Sequence, residues 1–302
     1  EYVCLPADVA EDAHRLAGWL GKAFAFTLDV PAKPAKRSFS PTPASLQEAT
    51  FGHPRDYLGN RHVYTVLSQR ARGISLGINL NPDQHCSFAC VYCEVNRDRP
   101  GRAKQLDLKV MTAELTTMLG RVYENRMREI PWFRKLPPEL LELKEVALSG
   151  DGEPTLCPIF SKVVKAVTRV RERGLHPFKI VLITNTTGLH TPEVQRGLKL
   201  LSSWDEVWAK LDAGTQKYMT KVNRPEITLQ QVLENILLLG RQRPVIIQSL
   251  FPSLRGEGPS AQEIEQYAQR LAELKQAGAV IPLVQIYSSH RPPHLPNCQH
   301  LS

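Results

Sequence analysis

The chain has 302 residues, 42% of them hydrophobic and 23% charged, with a formal net charge of +8. These are globular proportions, with ample length for a sizeable core. No apolar run approaches the roughly 18 residues of a membrane span, and the first 30 residues lack the order of a secretory signal, so a soluble cytoplasmic protein is expected.

In chain order, residues 1–72 read as an N-terminal extension. A helix is expected at about 8–24, and VPAKPAKRSFSPTPAS (30–45), rich in proline and cations, reads as an extended linker. FGHPRDYLGNRHVYTV then resumes ordered-looking sequence. From residue 73 short apolar strands alternate with amphipathic helices. In GISLGINLN (73–81), Ile74, Leu76, Ile78 and Leu80 alternate with Ser75, Gly77, Asn79 and Asn81. Further strands are expected at 145–150, 179–185, 205–212, 245–251 and 279–288, and helices near 107–124, 158–172, 192–201, 228–240 and 260–276. Six such units imply right-handed βαβ crossovers and a parallel α/β sheet. They fall short of the eight of a closed barrel, which leaves an open partial barrel or a doubly wound sheet. Functional groups in either collect at the carboxyl ends of the strands. Here those ends read NPDQHC, SGDGEP, TNTTG, KLDAG, SLFPS and IYSSH.

The first of these loops runs on into HCSFACVYCE (85–94), which places Cys86, Cys90 and Cys93 at C-x3-C-x2-C spacing. Four readings compete. A disulfide framework suits neither an odd number of thiols nor a reducing compartment. A structural zinc ion wants four ligands, so His85, Cys157 or Cys298 would have to be recruited. Inert core cysteines rarely cluster in a loop after a strand. An iron–sulfur cluster suits clustered thiolates, and three ligands on a cube leave one iron open.

With that spacing, and with Tyr92 just before the last cysteine, the chain resembles the radical S-adenosylmethionine (SAM) superfamily. SGDGEPTL (149–156) looks like that family's glycine-rich segment, and CVYCEV, KLDAG, VNRP, VQIY and RPP resemble the branch containing archaeal wyosine synthases. The resemblance covers about residues 50–290. It implies a partial (βα)6 barrel over 73–290, with 291–302 as a tail. It implies a [4Fe–4S] cluster on Cys86, Cys90 and Cys93, with SAM on the open iron. SAM would be cleaved reductively to a 5′-deoxyadenosyl radical for hydrogen abstraction, in tRNA or RNA modification. The alternatives are a small anionic metabolite or peptide as substrate, or a non-catalytic module on the same fold. Tyr92 would contact adenine, and Gly150, Asp151, Gly152 and Glu153 the methionine end. A one-electron donor of flavodoxin or ferredoxin type is the implied partner. Only Cys4 lies upstream, where wyosine synthases carry three further cysteines, so one cluster is expected.

Alternation in DEVWAKLD (205–212) turns Val207, Ala209 and Leu211 to the helices and Trp208, Lys210 and Asp212 inward. Lys210 and Asp212 read either as a structural ion pair or as catalytic groups. In the second case Asp212 contacts ribose or substrate, and Lys210 binds a carboxylate or forms a Schiff base, helped by a pKa lowered by desolvation. Asn185, Gln248 and Gln285 are buried amides at strand ends, which a ligand or the backbone can satisfy. Arg97, Arg99, Arg102 and Lys104, and then Lys217, Lys221 and Arg224, form two basic loops suited to phosphates or to solvent. His290, His294, Cys298 and His300 are a candidate auxiliary metal site, whereas Cys157 reads as a buried apolar residue.

Overall fold

The computed structural model describes residues 3–5, 18, 55–68, 71–174, 176–288 and 298–299. The strands are β1 (Val3–Leu5), β2 (Val63–Ser68), β3 (Gly73–Asn79), β4 (Leu143–Ser149) and β5 (Ile180–Thr184). They continue as β6 (Glu206–Lys210), β7 (Ile246–Leu250), β8 (Ser253–Leu254), β9 (Leu283–Tyr287) and β10 (Cys298–Gln299). Between them lie helices α1 (Leu108–Tyr123), α2 (Phe160–Arg173), α3 (Pro192–Leu198), α4 (Gln216–Val222), α5 (Leu229–Gln242) and α6 (Ala261–Gln276).

Eight strands form one sheet in the order β1-β9-β7-β6-β5-β4-β3-β2. Its six inner strands, β3 to β7 and β9, are parallel, as the alternation predicts. Each lies beside its predecessor, so there is no reversal of strand order. A doubly wound sheet requires such a switch point and is therefore excluded. The two edge strands were not expected: β2 runs antiparallel to β3, and β1 antiparallel to β9. Both come from residues before the first predicted strand. The helix expected at 8–24 (apart from helical Gly18), the linker at 30–45, and His290, His294 and His300 of the tail lie outside the described residues.

One face of the sheet is apolar and carries the helices. Ile74, Leu76, Ile78, Val146, Leu148, Ile180, Leu182, Val207, Ala209, Ile247 and Val284 join the helical side chains in one continuous core. The helices begin at the positions their capping residues set: Asp107, Thr191, Thr215, Thr228 and Ser260 each accept a first-turn N–H. Thr228 and Gln231 complete a reciprocal capping box. Helix α4 is a correction to the sequence reading, because Lys217 and Lys221 lie on it and not in a loop.

The opposite face holds a smaller apolar group, Val181, Trp208 and Ile246, with Ile183 and Leu283 packed beside it. Nearer the carboxyl ends of the strands this face turns polar. In register across three neighbouring strands lie Lys210, Gln248 and Gln285. Gly77 on this face is required by contact: a Cβ there would lie 2.1 Å from Cζ of Tyr64, whose hydroxyl pairs with Ser149 Oγ at 2.6 Å.

Candidate functional site

The loops expected to converge do converge, through hydrogen bonds among the carboxyl ends of β3 to β7 and β9. The loop after β3 holds the cysteines. Its backbone pairs with the segment after α4: Ala89 N–H donates to Asn223 O (3.0 Å), Val91 N–H to Val222 O (2.9 Å), and Glu226 N–H to Ser87 O (2.9 Å). On the other side Ser87 Oγ pairs with Thr187 Oγ1 at 2.8 Å and accepts from Asn185 Nδ2 at 3.1 Å. The cysteine loop is therefore stitched to the ends of both β5 and β6.

Cys86, Cys90 and Cys93 are free thiols, each partly buried. Two receive amide donors: Asn185 Nδ2 lies 3.7 Å from Cys86 Sγ, and Asn223 Nδ2 lies 3.4 Å from Cys90 Sγ. The Phe88 N–H donates to Cys86 Sγ at 3.5 Å. Burial pushes the Cys86 thiol up to about 11 and the Cys90 thiol up to about 12. Deprotonation then depends on a cation taking the proton's place, as a coordinated iron does. Among the described residues no three His, Cys, Asp or Glu side chains could hold a single metal ion. A cube needs no such convergence, because each thiolate takes its own iron, and N–H donors to sulfur are what such ligands use. The donor set fits a cluster better than it fits zinc. Cys157 is 4% exposed in the main core, as the sequence suggested. Cys298 packs with Val91 and Val222, and with Tyr92 at their edge.

The glycine-rich turn after β4 presses on this loop. Glu153 N–H donates to His85 O at 2.9 Å, and a Cβ on Gly152 would lie 2.0 Å from that oxygen. Gly150 has φ +139°, a conformation that side chains resist. Glu153, 2% exposed, accepts from Thr155 N–H (3.0 Å), Thr155 Oγ1 (2.6 Å), Thr184 Oγ1 (2.5 Å) and Asn185 N–H (2.6 Å). Burial raises its pKa in spite of these donors. Its carboxylate thus fixes the turn and the end of β5. Asp151 is held by Arg55 Nη1 (2.8 Å), Tyr57 OH (3.3 Å) and Asn79 Nδ2 (2.7 Å). Arg55, Tyr57 and Asn79 were missed by sequence reasoning. Asn79 alone gave a sign, as the polar last residue of its strand.

Asp212 is the second hub. Its Oδ1 lies 3.1 Å from Lys210 Nζ and accepts the Leu250 N–H at 2.8 Å. Its Oδ2 accepts the Tyr92 hydroxyl and Asn223 Nδ2, the latter at 2.7 Å. Lys210 and Asp212 do share the inward face, as alternation predicts, and they do pair. Lys210 Nζ also lies 5.0 Å from the centre of the Tyr92 ring, 5.3 Å from that of Tyr287, and 3.3 Å from Tyr287 OH. Burial pulls the lysine pKa down, but Asp212, Tyr287 and Cys90 outweigh it and hold the pKa above the ordinary value. The lowered pKa expected from desolvation is not what this site produces, and Lys210 is an ammonium. Gln248 Nε2 donates to Gln285 Oε1 at 3.3 Å, so the two amides partly satisfy each other. Asn223 and Tyr287 were not assigned from sequence, although VNRP and VQIY contain them.

The basic residues flank the cysteine loop. Arg97 Nη1 donates to Gln84 O at 2.6 Å, and Arg102 stacks 3.5 Å above the Tyr57 ring. Arg99 and Lys104 are exposed. Lys217, Lys221 and Arg224 are exposed on the other flank, with Lys221 3.7 Å from Glu257. No helix among the described residues is long and apolar enough to cross a membrane.

No family model matches the sequence. The chain is 26% identical over 234 residues to a UPF0026 protein of Helicobacter pylori, covering 76% of this chain and 68% of the relative. To a UPF0026 protein of Synechocystis it is 27% identical over 181 residues, 58% of this chain and 57% of the relative. Among solved structures it is similar to TYW1 with a lysine-pyruvate adduct bound, at TM-score 0.46 and 18% identity, covering 72% of this chain and 65% of that one. It is also similar to Streptococcus suis SuiB bound to S-adenosylmethionine, at TM-score 0.47 and 13% identity, covering 74% and 44%. A radical SAM methyltransferase from Sphaerobacter thermophilus gives TM-score 0.45 and 14% identity, covering 82% and 75%. The chain thus resembles UPF0026 proteins in sequence, and radical SAM proteins are among the solved structures it is similar to.

Proposed function

We propose that the protein is a cytoplasmic radical SAM enzyme whose residues 73–290 form a partial (βα)6 barrel around one [4Fe–4S] cluster. The observation that carries the reading is the cysteine loop itself: three partly buried thiols at the carboxyl ends of parallel strands, two of them facing amide donors. Cys86, Cys90 and Cys93 would hold the cluster. With SAM bound, the cluster would supply one-electron cleavage to a 5′-deoxyadenosyl radical that takes hydrogen from a substrate.

The protein's own part is binding, orientation and exclusion of water. The main chain of Gly150, Asp151 and Gly152 lines the methionine end, and Glu153 holds that turn against the cysteine loop. Tyr92, fixed by Asp212 and Asn223, sets the side where adenine lies, with Asn185 and Gln248 on neighbouring strands. Lys210 and Asp212 serve as the catalytic pair, with the ammonium binding an anionic group of the substrate. A half-buried cation on the inner face favours a small carboxylate or phosphate group there. The exposed cations Arg97, Arg99, Arg102 and Lys104 support an RNA carrying that group. A flavodoxin- or ferredoxin-like donor would supply the electron.

The test is anaerobic reconstitution with iron and sulfide, followed by assay for 5′-deoxyadenosine after dithionite reduction with SAM. Formation that disappears in Cys90→Ala supports the reading. Zinc uptake in place of iron would overturn it.

A further inference from the structure

The side-chain amide of Asn223 meets three acceptors at once. Its Nδ2 lies 2.7 Å from Asp212 Oδ2, 3.0 Å from Tyr92 OH and 3.4 Å from Cys90 Sγ. The residue is 2% exposed, and it ends α4 where the chain turns against the cysteine loop. An amide nitrogen has only two protons. Asp212 takes one along the shortest contact, so Tyr92 and Cys90 share the other. The main chain of Asn223 does the structural work separately, because its carbonyl accepts the Ala89 N–H at 3.0 Å. The main chain thus holds the loop by a bond that a change of side chain leaves in place, and the side chain is aimed in addition at the sulfur.

We propose that Asn223 is a positioning residue that sets the electron density on the Cys90 sulfur, and with it the reduction potential of the site, an inference that rests on the cluster reading above. Hydrogen bonds to ligating sulfurs draw charge from them and make the cluster easier to reduce. The same amide touches Asp212, whose other oxygen pairs with Lys210 at 3.1 Å. An anion drawn to Lys210 weakens that ion pair and leaves more charge on Asp212. Asp212 then competes harder for the Asn223 protons, and the bond to Cys90 loosens. Occupancy of the inner face and the ease of reduction are coupled through one side chain.

The experiment is an EPR-monitored redox titration of the reconstituted full chain, with iron measured in parallel, for wild type, Asn223→Ala and Asn223→Asp. Both variants are expected to keep their iron and to titrate at a more negative midpoint than wild type. The shift should be larger for Asn223→Asp, which puts a charge where a donor stood and preserves the shape. Unchanged midpoints in variants that keep their iron would overturn the proposal. Loss of iron from both variants would overturn it too, by showing that the side chain holds the loop instead of tuning it. A wild-type chain that takes up no iron is the separate failure of the cluster reading, seen before any variant is made.

Discussion

Asp212 and Tyr92 are joined by a hydrogen bond from the tyrosine hydroxyl to Oδ2, which ties the cysteine loop to the end of β6. The other carboxylate oxygen holds Lys210 and the Leu250 N–H. Asp212→Asn keeps the size but removes the charge and turns one acceptor into a donor. Breaking a buried charge pair costs about 3–5 kcal/mol. The variant should form 5′-deoxyadenosine at least about 100-fold more slowly, since a small misplacement of reacting groups costs that much. Its iron content separates a lost cluster from a misplaced one.

Lys210 lies between two tyrosine rings and beside a carboxylate, all on the inner face. Lys210→Ala should leave SAM binding within about threefold of wild type while abolishing hydrogen transfer from substrate, and Lys210→Arg should restore part of it by keeping the cation. Isothermal titration with SAM and deuterium incorporation into 5′-deoxyadenosine read the two effects. An alanine variant with undiminished product formation would remove Lys210 from the mechanism.

Glu153 gathers four donors from two strand ends. Glu153→Gln leaves one acceptor oxygen among them and faces the rest with an NH2 group. Leaving buried donors unmatched costs roughly 3 kcal/mol. For a chain of 302 residues that is a fall of about 5 °C in Tm, measured by differential scanning calorimetry.

Acid sensitivity should trace in part to Asp205. Its side chain is 0% exposed and receives both terminal nitrogens of Arg171 (2.6 and 3.1 Å), with Ile180 N–H (2.8 Å) and Ser202 N–H (2.8 Å) beside them. Burial opposes its ionisation, but these donors outweigh burial and hold its pKa below the ordinary value. With the folded pKa below the unfolded one, its contribution is complete above pH ~4 and is lost as pH falls below that. Asp205→Asn should cost about 3–5 kcal/mol at pH 7 and flatten the stability profile below pH 4, followed by denaturant melts across pH.

The parallel strands were legible because each is a short run of apolar residues alternating with small or polar ones, and β6 even revealed which side chains point inward. The cysteines were legible because their spacing is local. What escaped is assembled from far along the chain. Asn223 reaches Cys90 across 133 positions, and Arg55 reaches Asp151 across 96. Helix α4 escaped because seven residues bearing two lysines resemble a basic loop, although Thr215 was a visible cap. Strand β2 hid in the run before the predicted barrel because its partner Gly77 gives no sign that Tyr64 fills the space above it. Gly77→Ala tests that fit: the added methyl should displace Tyr64 from Ser149 and cost about 1–3 kcal/mol.

The edge formed by β1 and β9 joins Val3 to Ile286. During synthesis the first of these strands emerges long before the second, by roughly 15–60 s at ordinary elongation rates. For that interval β1 has hydrogen-bonding groups but no β9 to receive them, and the growing sheet ends at an open strand. Closing so distant a pair is slow, because the loop must be drawn together before any contact forms. The sheet is therefore completed when its last strand, β9, reaches β1, and a ribosome stalled before β9 would hold an edge free to pair with another nascent chain.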